Sequence, residues 1–304
     1  MGTPGSQGAG PLKSVPVTTG HATNPSSRGI AEPSYLGRAM VLVMGASVFA
    51  YLFGVVVHEF GHYVGAAIAN VPIEGIVLHP FDLSHNDYGD LSGVSQLRLA
   101  IESAAGPVLN LLVGAGVSLL VWRRRSARWL PVVMWGPLAL LQEGVGMIIG
   151  LVDYPNLESD WVSVMKAGVP PAMIGLSVAV LLVAGSVWIL LLMPLAGLSA
   201  DDPYWTKLVV FLAGVPLLML GAVVYLAVIG SSVSSPAGMA QQNRSIALGA
   251  SVALVTSLTA LHRPLFARLD RISHTQTSQV SWRDAGLAVA MGAAVLVFML
   301  TFYN

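Results

Sequence analysis

Apolar positions in this chain fall in long blocks, not at the spacing of a half-buried surface helix or a strand. The blocks are 39–69, 97–121, 129–152, 171–197, 207–230, 245–262 and 285–302. A bilayer core needs about 20 apolar helical residues, so each block predicts a membrane-spanning helix. The first is longer than a span requires, so its end is expected to project or tilt. The sixth is short and rich in Ser and Thr. Between the first two blocks, Val71 to Gln96 breaks the pattern. Within it, Ile73-Glu74-Gly75-Ile76-Val77-Leu78-His79 has the alternation and β-branching of a short strand or hairpin lying against the membrane body. The connections 198–206 and 231–244 read as turns and loops, and 263–284 as a longer, partly basic one.

Residues 1–36 are rich in Gly, Ser, Thr and Pro and lack apolar periodicity. Such a segment buries too little surface to offset its ordering entropy, which predicts a disordered tail. A signal peptide is not expected there, because the basic and apolar regions it needs are missing from the first 30 residues.

Composition sharpens the class. The chain has 304 residues, 55% hydrophobic and 10% charged, against about 25% charged in an ordinary globular domain. A water-soluble enzyme is excluded. Fifteen basic residues balance 15 acidic ones, and no basic stripe is long enough to neutralise many phosphates, so no nucleic-acid partner is expected. Cys is absent, which removes disulfide frameworks, Cys-ligated zinc, iron–sulfur clusters and a Cys nucleophile. The expected fold is an all-α, multi-pass integral membrane protein with about seven transmembrane helices and a short β-like loop after the first. Its environment is the lipid bilayer.

Charge along the chain predicts an orientation. The amino-terminal flank (Lys13, Arg28, Arg38), the 123–128 loop (Arg123, Arg124, Arg125, Arg128) and the 263–284 loop are basic, whereas the 71–96 loop carries Glu74, Asp82, Asp87 and Asp90. The positive-inside rule then puts the amino terminus in the cytoplasm and the carboxyl terminus outside. The arginine cluster itself reads as a topology signal and lipid-headgroup contact.

Candidate chemistry concentrates in His58-Glu59-Phe60-Gly61-His62. Positions i and i+4 share a helix face, so both imidazoles can ligate one zinc, with Glu59 beside them to take a proton from a bound water. Two His and a Glu inside an apolar span are expensive to place without partners, which favours a metal over a solvated helix end. Gly54, Gly61 and Gly65 lie near the same stripe and let neighbouring helices come close.

Catalytic zinc usually has three protein ligands and an open position. Glu102, Glu143, Asp153 and Asp160 are the acidic candidates for the third. Glu143 could equally hydrogen-bond inside the bundle, Glu102 could pair with Arg98, and Asp153 and Asp160 could be loop acids or helix caps. Spacing alone does not choose. Pro155 and Asn156 break the third helix, and Ser159-Asp160 can begin a new short one. Ala105-Gly106-Pro107-Val108-Leu109-Asn110-Leu111 reads as a close-packing, kinked stretch with Asn110 as a buried hydrogen-bonding group or a catalytic participant.

In order, His58-Glu59-Phe60-Gly61-His62-Tyr63, Asn70-Val71-Pro72-Ile73-Glu74-Gly75-Ile76, the 105–111 stretch and an Asp-containing break after the third helix resemble the site-2 protease family of intramembrane zinc metalloproteases. The resemblance covers about residues 50–170. It implies a three-helix metalloprotease core, here 37–170; the remaining spans, 171–304, are then expected to form an accessory bundle. It implies zinc held by His58, His62 and an Asp: Asp160, with Asp153 as the alternative. Glu59 is then the general base of peptide-bond hydrolysis, and Asn110 helps to position substrate. The substrate would be another transmembrane protein, unwound locally and held along the 73–79 strand, in a bacterial cell membrane. Two departures stand out. Trp161 follows Asp160 where the family usually has Gly, and Pro80-Phe81-Asp82 stands where a glycine pair is common. The family orientation, with the metal toward the cytosol, is also opposite to the one the charges predict.

Two other classes fit the same residues: a scaffold or transporter with a structural zinc, and a zinc enzyme acting on a lipid or another bond. A transporter more often shows related halves, and no clear internal repeat is present.

Overall fold

The computed structural model describes residues 33–79, 84–155, 159–199, 202–213 and 279–301. These form helices α1 (Pro33–Ala69), α2 (Gln96–Trp122), α3 (Leu130–Asp153), α4 (Asp160–Lys166), α5 (Pro171–Leu192), α6 (Tyr204–Ala213) and α7 (Trp282–Thr301), with strands β1 (Ile73–Val77) and β2 (His85–Tyr88) between α1 and α2. Short 3-10 turns precede α3 and follow α5.

Among the described residues, five helical stretches are long and apolar enough to cross a membrane: Ser34–Ala69, Gln96–Trp122, Ala127–Val152, Pro171–Ala196 and Trp282–Thr301. They match five of the seven expected spans. The 207–230 run begins within α6 and continues beyond the described residues, and the 245–262 run lies outside them. The outward faces are apolar: Leu97, Leu112, Leu119 and Leu120 of α2 and Met173 and Leu176 of α5 are exposed. Soluble monomers rarely expose apolar patches on that scale, so these faces mark a membrane protein.

Most of the expected tail lies outside the described residues, but its last four positions, 33–36, are the first turn of α1. Proline suits that place, since a helix's first N–H has no intrahelical acceptor. From Pro33 onward the chain clusters as one compact unit. Gly185 of α5 lies against Pro137 and Leu141 of α3, and Gly144 of α3 against Leu182. Leu130, Met134, Leu141, Ile189, Leu192 and Met193 form a fully buried centre with Leu42 of α1.

Local signals set the ends that matter for the site. At 37 residues, α1 is about 55 Å long at 1.5 Å per residue, more than a bilayer core needs. It stops where Asn70 turns left-handed (φ 52°) and Val71 N–H bonds back to Ala66 C=O at 2.9 Å, a Schellman arrangement. Pro72 cannot extend it further. The chain then forms the antiparallel hairpin, with Ile76 opposite Asn86, Val77 opposite His85, and an irregularity between Ile73 and Gly75. Ser95 caps α2 and Ser159 caps α4, each accepting a backbone N–H at 3.4 Å.

Candidate metal centre

Three elements far apart in sequence bring the site together. α1 contributes His58, Glu59 and His62, and α2 crosses it closely enough to touch them. A Cβ added to Gly61 would sit 2.7 Å from Ala105 C=O and Gly106 Cα, and one added to Gly106 would overlap the His62 ring. Glycine at both positions is what lets the imidazole lie against the α2 backbone. α4 supplies Asp160, held beside α3 by Trp161 packing over Gly150 and beside α2 by a Gln96 amide bond to Ser163 C=O.

His58, His62 and Asp160 each offer a ligand atom, and all lie within 4.8 Å of one another. The two Nε2 atoms are 3.0 Å apart, and Asp160 Oδ2 is 3.2 Å from His58 Nε2 and 3.4 Å from His62 Nε2. Atoms about 2.0–2.1 Å from a tetrahedral zinc lie about 3.3 Å from each other, so the triad has the dimensions of three of the four corners of such a site.

The hydrogen-bond network assigns the tautomers. His62 Nδ1 meets the backbone oxygen of Glu102 at 3.0 Å. A carbonyl only accepts, so Nδ1 carries the proton. His58 Nδ1 meets Glu143 Oε1 at 3.0 Å, and that oxygen already accepts the Asn110 amide at 2.8 Å. It therefore accepts from His58 as well. In the neutral rings both Nε2 atoms are then lone-pair donors, facing each other and a carboxylate oxygen. Three converging lone pairs need a cation between them, so the donor set fits a metal ion, and carboxylates or carbonyls behind ligating imidazoles are the usual support for one. Desolvation works against the Asp160 carboxylate, but where a proton on the imidazoles takes the place of a metal, the His62 and His58 rings hold its carboxyl well below the usual carboxylate range. It is therefore an ionised donor at ordinary pH.

Glu59 is buried, 5% exposed, and within electrostatic range of His58, His62, Asp160 and of His85 on β2. Asn110 is fully buried. Its amide nitrogen serves Glu143, and its oxygen accepts Trp135 Nε1–H at 3.0 Å. Glu102 accepts the Tyr88 hydroxyl at 2.8 Å and Ser103 Oγ at 3.2 Å, with Oε1 3.4 Å from His62 Nδ1. Arg98 turns instead to the Ala69 carbonyl. The structure thus brings His58, Glu59, His62 and Asp160 together and places Asn110 behind them. Asp153 is the last residue of α3.

Sequence reasoning weighed Glu102 and Glu143 as possible ligands; the structure puts them behind the imidazoles. Tyr88 and Trp135 were not singled out. Only their contacts with Glu102 and Asn110 reveal them, and no spacing rule connects them. Compared with protein-family models, curated proteins and solved structures, the chain has no match in any of the three.

Proposed function

We propose that this protein is a zinc-dependent intramembrane endopeptidase of the site-2 protease type, acting on other transmembrane proteins in a bacterial cell membrane. The observation that carries the reading is the convergence of His58 Nε2, His62 Nε2 and Asp160 Oδ2 beside buried Glu59, within helices apolar enough to span a bilayer. Two imidazoles and a carboxylate without thiolate serve zinc and ferrous iron alike, and Glu59 beside them, placed to take a proton from a bound water, favours zinc and hydrolysis.

In this reading His58, His62 and Asp160 hold the ion, and Glu143 and the Glu102 carbonyl keep both imidazoles in the ligating tautomer. Bound zinc supplies Lewis acidity toward the scissile carbonyl and a water acidic enough to attack near neutral pH. Glu59 accepts one proton as water adds to the carbonyl carbon. It returns that proton to the amide nitrogen as the C–N bond breaks, so water is consumed and an acid and an amine are released. A helical substrate hides its carbonyls in its own hydrogen bonds, so the segment must unwind. The β1–β2 hairpin beside the site offers strand backbone to hold it. Asn110 acts as a positioning residue through Glu143.

The test is metal content and hydrolysis measured together. Purified wild type should carry about one zinc per chain and cleave a transmembrane reporter. Glu59→Gln should keep the zinc and lose the cleavage. A folded wild type that takes up no zinc ends the metalloenzyme reading. Undiminished cleavage by Glu59→Gln ends the assignment of Glu59. Zinc bound without cleavage of any membrane-protein or lipid substrate favours a scaffold or transporter with a structural metal.

A further inference from the structure

The two ends of the helix bundle carry different charge, and the helix directions place the metal-ligating cluster at one of them. α7 runs parallel to α1: Gly45 lies against Ala288 and Val289, and Gly292 against Val48 and Phe49. α2 runs opposite to α1, since Gly65 meets Glu102 while Gly54 meets Asn110. α3 runs opposite to α2, with Asn110 beside Glu143 and Ser118 beside Gly136. One end therefore gathers the starts of α1 and α7 and the α2–α3 loop. α5 runs opposite to α3 and finishes at that end too, where the Tyr35 hydroxyl donates to Gly197 C=O. The other end gathers the hairpin, the start of α2, the end of α3 and α4.

The first end holds Arg38, the 123–128 loop with its four arginines, Lys207 and Arg283; the second, among the described residues, holds Arg98 and Lys166. His58 lies 20 positions along α1 from Arg38, and Glu102 lies 21 positions along α2 from Arg123. At 1.5 Å per residue that is about 30 Å of helix, the thickness of a bilayer's hydrocarbon core. The cluster and the arginines sit at opposite borders of the membrane.

Lys and Arg close to span ends are retained on the cytoplasmic side, while Asp and Glu weigh little in the choice. The first helix usually dominates, and its flank carries Arg38. Arg128 also stacks over Trp129 at 6.0 Å, which pairs an aromatic interface anchor with charges that favour anionic cytoplasmic lipid. We infer that the arginine end faces the cytoplasm and that the metal-ligating cluster, with its hairpin, lies at the non-cytoplasmic border. This is the reverse of the orientation the family resemblance implies. The local reason is physical: an inward-facing cluster would require translocating the whole arginine loop. The consequence for substrate rests on the protease reading. The bond cut would lie near the non-cytoplasmic end of the substrate's span.

The absence of Cys makes the test clean, because any introduced thiol reports alone. Ser92→Cys places one in the exposed turn before α2, and Ser126→Cys places one in the arginine loop. In intact spheroplasts of a bacterial host, a membrane-impermeant maleimide should label the Ser92→Cys chain, and the Ser126→Cys chain only after permeabilisation. Any other pattern overturns the orientation. Alkaline phosphatase fused after Asn304 gives a second reading that needs no change within the bundle, since α7 runs toward the cluster end. It should be active, and an inactive phosphatase beside a fluorescent green-protein fusion overturns the inference. Neither measurement depends on hydrolysis, so failure of the orientation and failure of the protease reading are separate results.

Discussion

Glu143 and His58, 85 positions apart in sequence, meet at 3.0 Å through Oε1 and Nδ1, and that contact turns the other ring nitrogen toward Asp160. The carboxylate is 2% exposed, so water cannot replace it. If the site holds zinc as proposed, Glu143→Ala should weaken its binding by about 10- to 100-fold, the usual effect of losing a partner behind a metal-ligating imidazole. Asn110→Ala acts one bond further back and should weaken it less. Competition with a chromophoric chelator measures both. Equal affinities in wild type and Glu143→Ala would remove Glu143 from the site.

Gly106→Ala is the smallest change that should empty the metal centre. The added methyl would occupy the space of the His62 ring, and neither α2 backbone nor a ring held by the Glu102 carbonyl can yield easily. Overpacking of this kind typically costs about 1–3 kcal/mol. The variant should fold, melt lower and bind little zinc. Gly116→Ala meets nothing within 4 Å and serves as the control on the same helix. A Gly106→Ala protein with a full complement of zinc would show that His62 does not depend on this close approach.

What could be read from the sequence follows from the range of the forces involved. The five described spans were legible because burial in lipid demands long apolar runs, and His58 and His62 because a helix repeats its face every four residues. The short helix at Asp160 was legible from Ser159, whose cap is a local hydrogen bond. The roles of Glu102 and Glu143 were not, because they depend on which helices become neighbours. β2 was hidden for another reason: His85-Asn86-Asp87-Tyr88 has no strand-like side-chain pattern and pairs with β1 through its backbone. Gly106 looked like one packing glycine among several until the His62 ring was seen against it.

Asp160 is the carboxylate whose replacement should release the metal. Asp160→Asn keeps shape and size but removes the charged donor that lies 3.2 and 3.4 Å from the two imidazoles. Zinc per chain, measured by plasma mass spectrometry after dialysis, should fall to background. Asp153→Asn should retain it, because the triad closes without that residue. Zinc lost with Asp153 and kept with Asp160 would require a different ligand set.

The Tyr88 hydroxyl ties the hairpin to the helix that supports His62. Burial of the hydroxyl and the neighbouring Glu102 carboxylate push its pKa up, so it stays protonated and donates to Glu102 across ordinary pH. Tyr88→Phe removes that bond and nothing else of similar strength. A hydrogen bond to a charged group contributes about 1.5 kcal/mol at the lower end of its range, and the partial exposure of Tyr88 argues for the lower end. Opening of β2 should therefore become about ten-fold more frequent, visible as faster amide exchange over residues 85–88. His62 keeps its bond to the Glu102 backbone carbonyl in this variant, so zinc should remain at about one per chain. If the hairpin holds the unwound substrate, KM should rise while kcat changes little. Unchanged exchange would mean the hairpin is held to the bundle by its other contacts alone, and loss of zinc would mean that the Glu102 side chain, not its carbonyl, fixes His62.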